Sequence, residues 1–338
     1  MSGGDAVTAD PSFGAFAGPV ARVVGVALNA AIDRTASVDR LVPGEIHRPV
    51  VRSVVPGGKA ANVVRAARHL GMDGAVVAVL GGHAGRWYAD ALAGLRIPLH
   101  AVAVKGETRS CLSVLDESSG RLTELYEPGV PLVAADWPRV EDAVAAAIGP
   151  VGTGVAVVLA GSLPPGAPVD ADGRLASLAA GRGARGVVDA DGLALREALG
   201  ARPWLVKVNA AEAAAATGAA VAKDDEAVTA ARALRGLGAS NAVVTRGPDG
   251  AVLATARGTW SLAAAPAPDR GPWSVGSGDA FLAGLLVGLA RGGDEAEVLR
   301  FAGAAGTANA RVPGQGELDR SDVDRLLATL TVEPVAGS

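Results

Sequence analysis

Cysteine occurs once, at Cys111, in 338 residues. That single thiol excludes an internal disulfide framework and a cysteine-built metal site, and it fits a reducing compartment. Its setting, the apolar alternation Cys111-Leu112-Ser113-Val114-Leu115, reads as a buried strand position. Aromatic residues reach only 3%, and the five tryptophans are scattered, as core or rim side chains rather than a base-stacking platform. Positive charge is not in excess. The net charge of −4 excludes a general nucleic-acid binder, which needs a basic face. The four histidines, His47, His69, His83 and His100, show no paired spacing, so no metal site is expected of them. Residues 1–20 lack a basic segment followed by a continuous apolar run and read as a disordered tail, not a signal peptide. Ala143–Val169 carries no charge, but Gly149, Pro150, Gly152, Gly154, Pro164 and Pro165 interrupt it. It is expected to be a helix end, a turn and a buried strand, with no membrane span and a cytoplasmic location.

Glycine is plentiful, 46 residues without a G-x-y period, which points to tight turns and close backbone approaches. Short apolar runs (Arg22–Leu28, Gly74–Leu80, Gly154–Ala160, Gly186–Asp189, Trp204–Val206, Asn241–Thr245) alternate with Ala/Leu-rich helical stretches such as Lys59–Leu70 and Asp279–Arg291. Strand then helix, repeated, with near-continuous apolar strands, predicts an α/β fold: a doubly wound, mostly parallel sheet with helices on both faces. Two segments, about 34–55 and 100–127, alternate polar and apolar residues without helical period. They are expected to form a small antiparallel β lid inserted into a single domain spanning about 21–332. Ser321-x-x-Asp324 resembles a capping box at the start of the last helix.

Several turns carry chemistry-bearing residues. Val275-Gly276-Ser277-Gly278-Asp279 runs into an apolar helix. Its free N–H groups make a ready anion site, and Asp279 is placed to take a proton from an alcohol. The plainer reading is a glycine turn with an acid complementing the helix dipole. Gly57-Gly58-Lys59-Ala60-Ala61-Asn62 opens another helix and brings an amine and a carboxamide together, but it does not satisfy a Walker A pattern. Asn29-Ala30-Ala31-Ile32-Asp33 follows the first strand, where parallel sheets bind ligands. Asn209-x-x-Glu212 fits a helix cap with its acidic partner, and equally an Asn near phosphate with a Glu organising Mg²⁺ through water. Thr245-Arg246-Gly247-Pro248-Asp249-Gly250 is a strong turn signal, and Gly161-Ser162-Leu163-Pro164-Pro165-Gly166 ends a buried strand. Gly181–Gly186 matches G-x-G-x-x-G but precedes a strand, so it is no dinucleotide fingerprint. Only four lysines and five asparagines occur; Lys59, Lys207, Asn29, Asn62, Asn209 and Asn309 all fall in or beside these turns.

In this order, with Thr108-Arg109 and Glu127-Pro128-Gly129 between them, the motifs resemble the ribokinase-like (PfkB) family of ATP-dependent carbohydrate kinases over about Val23–Leu330. The nearest likeness is its phosphosugar branch of 1-phosphofructokinases and tagatose-6-phosphate kinases. The resemblance implies phosphoryl transfer from ATP, with Mg²⁺, to a primary hydroxyl of a ketohexose phosphate, foremost fructose 1-phosphate giving fructose 1,6-bisphosphate. Tagatose 6-phosphate, fructose 6-phosphate and an unphosphorylated sugar are the other acceptors it allows; a non-catalytic sugar-binding protein is the reading from another class. It implies Asp279 as base and the N–H groups of Gly276, Ser277 and Gly278 as the anion hole. Asn29, Asp33, Gly57, Gly58, Lys59, Asn62, Arg109 and Ser162 would hold the acceptor, Lys59 and Arg109 its phosphate. Lys207, Asn209, Glu212, Thr245, Gly247, Gly250 and Asn309 would line the nucleotide, Glu212 meeting Mg²⁺ through water. A homodimer paired through the lids is also implied. Ala30, Ala60, Val208, Asp191 and Trp273 depart from the family pattern.

Overall fold

The computed structural model describes residue 16 and residues 20–336. Along the chain run the strands β1 (Arg22–Ala27), β2 (Ala31–Val38), β3 (Val50–Gly57), β4 (Asp73–Leu80), β5 (Leu99–Ala103), β6 (Arg109–Asp116), β7 (Arg121–Tyr126), β8 (Val155–Ala160), β9 (Arg185–Asp189), β10 (Leu205–Asn209), β11 (Asn241–Thr245), β12 (Ala251–Ala254), β13 (Thr259–Leu262) and β14 (Val332–Pro334). The helices are α1 (Lys59–His69), α2 (Gly82–Gly94), α3 (Trp137–Ile148), α4 (Ala171–Gly181), α5 (Gly192–Gly200), α6 (Ala210–Thr217), α7 (Asp224–Gly236), α8 (Ser277–Ala290), α9 (Glu295–Asn309) and α10 (Arg320–Leu326).

One large sheet has the order β14-β13-β12-β11-β10-β9-β8-β1-β4-β5. It is parallel from β11 to β5, and β12, β13 and β14 extend it antiparallel. Side chains of a strand alternate between faces, so each central strand feeds two cores. On β8, Ala156 and Val158 join Phe281 and Leu282 of α8. Val155, Val157 and Leu159 face the other way, among Val144 of α3 and Leu175 of α4. The close approach of α1 to the sheet requires Gly25, because a Cβ there would lie 2.4 Å from the Ala60 carbonyl oxygen.

The second sheet, β3-β2-β6-β7, is the lid. Its outer pairs are antiparallel, and its central pair, β2 with β6, is parallel. The lid is smaller than its expected span. Residues 99–103 form β5, which pairs in parallel with β4 at the edge of the large sheet. The alternation that read as a lid strand is that of an edge strand, with Val102 buried and its neighbours partly exposed.

Other departures are local. The helix α5 is additional to the expected helical stretches; Leu195, Ala198 and Leu199 form its buried stripe. The start of α10 is capped by Asp319, whose side chain accepts from the Ser321 N–H, not by Ser321 with Asp324. Of the expected tail, residues 1–15 and 17–19 lie outside the described residues. Phe16 is not a loose tail residue: it is buried and stacks on Trp204, with ring centroids 6.0 Å apart and planes 11° from parallel. Among the described residues no helix is long and apolar enough to cross a membrane.

Candidate active site

The carboxyl ends of the parallel strands, where such sheets leave a ligand crevice, open onto a cleft of about 770 Å³. Two helices begin at this cleft, each from a glycine in the left-handed region: Gly58 (φ 89°) before α1 and Gly276 (φ 85°) before α8. A Cβ on Gly276 would also lie 2.6 Å from the Gln315 Cα, so only glycine fits there. Their N-termini direct unpaired N–H groups and the positive ends of two helix dipoles toward the same space.

The acceptor side is built from the lid and α1. Asp33 on β2 accepts from the Gly58 N–H and from Asn62 Nδ2, each at 3.3 Å. The same Nδ2 donates to Asp279 Oδ2 at 3.0 Å, so one carboxamide bridges two buried carboxylates. Burial raises the pKa of Asp33, against the opposing pull of Gly58, Asn62, Arg65 and Arg109. Asp279 is raised to about 7, first by burial and then by the negative charge of Asp189; Lys59, Lys207 and Asn62 oppose the rise. Asp279 is therefore buried yet lines the cleft, and its carboxyl titrates near neutrality. A group poised there suits general-base work. Cys111 is buried in the lid's inner face, and burial together with Asp33 pushes its thiol up to about 11, which makes it a poor nucleophile.

Asn29 and Ser162 meet at the cleft wall, Asn29 Nδ2 donating to Ser162 Oγ at 2.9 Å. Arg109 reaches across to the Asn29 carbonyl at 3.1 Å and the Glu127 carbonyl at 3.2 Å, while its Nε has no partner. Gly57 does not line the cleft. Its role is steric: a Cβ there would lie 2.0 Å from Asp33 Oδ2.

The other side centres on Asp189, at the end of β9, which the sequence reading passed over. Its buried carboxylate meets Lys59 Nζ at 3.0 Å and is ion-paired with Lys207. Burial opposes its charge, but the two ammoniums together hold its carboxyl below the usual range. Lys59 also lies 3.9 Å from Glu212, and Asp189 leads the carboxylates that raise its pKa. Its expected pairing with Arg109 around the acceptor's phosphate is thus not what the fold builds; its ammonium is held at the Asp189 side. Gly278 allows Lys207 to sit against the start of α8, since a Cβ there would lie 3.0 Å from Lys207 Nζ.

Lys207, Asn209, Thr245, Gly247 and Gly250 line the cleft; Glu212 and Asn309 do not. Asn209 and Glu212 form a reciprocal helix cap, at 2.9 and 2.7 Å. Asn309 is fully buried. It accepts from Ser277 Oγ and donates to the carbonyls of Gly314 and Glu317, which fastens the loop after α9 to the start of α8. Ser277 spends its N–H on the Ser274 carbonyl at 3.2 Å, whereas Gly276 and Gly278 line the cleft with no such bond.

Arg65 and Gln315 were missed as well. Arg65 is an arginine inside the apolar run Val63-Val64-Arg65-Ala66-Ala67, and Gln315 is the sole glutamine of the sequence. Those two oddities were the available signals.

Residues 22–321 match the family described as pfkB family carbohydrate kinase. The chain is 33% identical over 321 residues to a 1-phosphofructokinase of Rhodobacter capsulatus, covering 93% of this chain and 99% of that one. It is 36% identical over 274 residues to a 1-phosphofructokinase of Xanthomonas campestris pv. campestris, covering 79% and 84%. Among solved structures, phosphofructokinase-2 from Escherichia coli in complex with fructose-6-phosphate matches with a TM-score of 0.80 at 29% identity, over 91% of this chain and 98% of that chain.

Proposed function

The chain belongs to the pfkB family of carbohydrate kinases, and from that premise we propose that it phosphorylates fructose 1-phosphate at its free primary hydroxyl, with ATP as donor and fructose 1,6-bisphosphate as product. The observation that carries the chemistry is Asp279: a cleft-lining carboxyl with a pKa near 7, at the start of a glycine-lined helix and bridged through Asn62 to the lid residue Asp33.

In this reading Asp33 and Asn62 hold the sugar hydroxyls and bring the primary alcohol to Asp279. Asp279 takes the hydroxyl proton as the new O–P bond forms and the bond to the departing ADP breaks. Gly276 and Gly278 donate their N–H groups to the charge on the phosphoryl oxygens, and Lys207 and Lys59 face it from the Asp189 side. Preorganised donors of this kind are worth roughly 3–4 kcal/mol each in other enzymes. Arg109, at the start of β6 with its Nε partnerless, takes the phosphate already on the sugar. Asn29 and Ser162 contact the acceptor, while Asn209, Thr245, Gly247 and Gly250 contact the nucleotide.

A metal ion fits this donor set only in one way. Among the described residues no group of three metal-ligating side chains gathers, and Glu212 is engaged by the Asn209 N–H and lies near Lys59. Those residues suit a Mg²⁺ that arrives on the nucleotide and meets Glu212 through water, the ligand pattern this ion prefers. Held there, it would offset the negative charge of the phosphates during transfer.

The lid sheet leaves Val50, Val51, Leu125 and Tyr126 more than half exposed, which supports a homodimer in which a second copy covers it. A cytoplasmic enzyme fits the single reduced thiol and the absence of a spanning helix among the described residues.

The test is ADP release from ATP with fructose 1-phosphate, fructose 6-phosphate, tagatose 6-phosphate and fructose. Highest kcat/KM on fructose 1-phosphate is the expected result. A faster rate on fructose 6-phosphate selects the second reading, favoured by the match to the enzyme solved with that sugar. A faster rate on fructose overturns the phosphosugar assignment, and no ADP from any of them overturns catalysis.

A further inference from the structure

Asn62 can place its amide in two ways that differ by exchanging oxygen and nitrogen. In one, its NH₂ faces Asp33 and Asp279; in the other, its carbonyl oxygen faces two carboxylates. The surroundings select the first. Arg65, one turn along α1, aims Nη1 at Asn62 Oδ1 at 3.3 Å, so a flipped amide would point NH₂ at a guanidinium. Arg65 is itself almost fully buried and fixed at several points. Nη1 also donates to the Gln315 carbonyl at 2.9 Å, and Nη2 is ion-paired with Glu317. Glu317 in turn lies 3.2 Å from His69 and is held at about 2, burial opposing and His69 and Arg65 prevailing. The Gln315 side chain accepts from Thr35 Oγ1 on β2 and donates to Ser113 Oγ on β6, each at 3.3 Å. An unbroken chain of polar contacts therefore runs from two lid strands, through the loop after α9, to the amide between the carboxylates.

We propose that Arg65 is a positioning residue for phosphoryl transfer: it fixes the Asn62 amide toward Asp33 and Asp279 and makes that orientation depend on the docking of the lid against Gln315. A buried arginine whose fork is divided among a side-chain oxygen, a backbone carbonyl and a carboxylate is more constrained than helix packing requires. The proposal rests on Asp279 acting as the base.

Its signature is in the pH profile. Asp279 faces Asp189 on β9, Lys59 and Asn62 on α1, and Lys207 on β10; Asp33 faces Asn62 and Arg65 on α1, Arg109 on β6 and the Gly58 N–H. Without Arg65 the amide is free to turn its oxygen to both carboxylates. That favours their protonated forms and moves the acid limb of kcat/KM to higher pH.

The experiment is a double-mutant cycle with Arg65→Met and Asn62→Ala in the full chain, read by ADP release with fructose 1-phosphate across pH. Arg65→Met alone is expected to lower kcat about 30-fold, a coupling within the range of contacting pairs, while the ATP KM stays within about threefold. Its acid limb should shift up by about half a pH unit or more. In the Asn62→Ala background the same substitution should cost less than about threefold, because the residue through which it acts is gone. Arg65→Lys should recover part of the rate. Should Arg65→Met fail to fold, Arg65→Lys carries the test, since one ammonium cannot reproduce the fork: about a fivefold loss with Asn62 present and none without it. Equal losses in both backgrounds, or an unmoved acid limb, overturn the role of Arg65. A wild-type chain that releases no ADP with any of the sugar phosphates overturns the kinase reading, and this role with it.

Discussion

Lys59 Nζ lies 3.0 Å from the carboxylate of Asp189, joining the first residue of α1 to the last residue of β9. The pair, with Lys207 on the other oxygen, sets two ammoniums beside Asp279 while keeping a negative charge close enough to raise its pKa. Asp189→Asn should therefore have two effects of opposite sense. Removing the like charge lowers the Asp279 pKa, so the acid limb of kcat/KM moves to lower pH. Releasing Lys59 and Lys207 loosens the phosphoryl side, and kcat at pH 8 should fall. Breaking a buried ion pair costs about 3–5 kcal/mol in closed interiors. Lys59 is partly exposed and both lysines line the cleft, so water can reach them, and about 1–3 kcal/mol by denaturant melt is expected.

Asp279→Asn should lower kcat by about 10²–10⁴, the range for loss of a general base. Nucleotide affinity, measured by calorimetry, should remain. The same variant should be the more stable protein at pH 8. The folded pKa is raised from 3.8 to about 7, so between those values the folded chain keeps a proton that the unfolded chain has released. Folding stability falls as pH rises through that window, by about 4 kcal/mol at most. Asparagine has no such charge to bury. Equal melting temperatures at pH 8 would contradict the buried-carboxylate account.

For the wild-type chain the same titration predicts an acid limb. kcat/KM for the sugar phosphate should drop about tenfold per pH unit below about pH 7, because the protonated carboxyl cannot accept the hydroxyl proton. A profile flat down to pH 5 would remove Asp279 from the base role.

The turns were legible in the sequence because their chemistry is local. Glycines at 58 and 276, with Lys59, Asn62 and Asp279 at fixed offsets after them, mark the two helix starts that frame the cleft. Near-continuous apolar runs alternating with helical stretches carried the parallel sheet. What escaped depends on neighbours distant in sequence. Asp189 ends a plain Val-Val-Asp strand, and only folding brings Lys59 and Lys207 onto it. Asn309 carries the polar side chain of a ligand contact, yet the loop at 314–317 claims it. Residues 99–103 alternate as a lid strand would, and their pairing with β4 is decided by the sheet edge open to them.

Gly57→Ala separates the acceptor site from the nucleotide site. The added methyl would overlap Asp33, which is backed by Asn62 and the Gly58 N–H and has little room to retreat. The sugar-phosphate KM should rise at least about tenfold, as when a positioned polar contact is lost, while the ATP KM holds. Initial rates at varied acceptor and fixed saturating ATP check it, and a rise in the ATP KM alone would contradict the placement of Asp33.

Phe16→Ala probes a contact far from the chemistry. Phe16 stacks on Trp204 in the core shared by α1 and α8, and neither ring lines the cleft. Truncating a buried phenylalanine costs about 3–5 kcal/mol where the surroundings cannot collapse. Phe16 is buried against Trp204, and a loss of about 3 kcal/mol by denaturant melt is expected. kcat and both KM values should stay within about twofold at 25 °C, since stability lost at a remote site leaves the folded fraction near one. A large loss of activity without a loss of stability would mean that the Phe16–Trp204 stack reaches the cleft through α1 or α8. Both helices present their first residues to the proposed substrates.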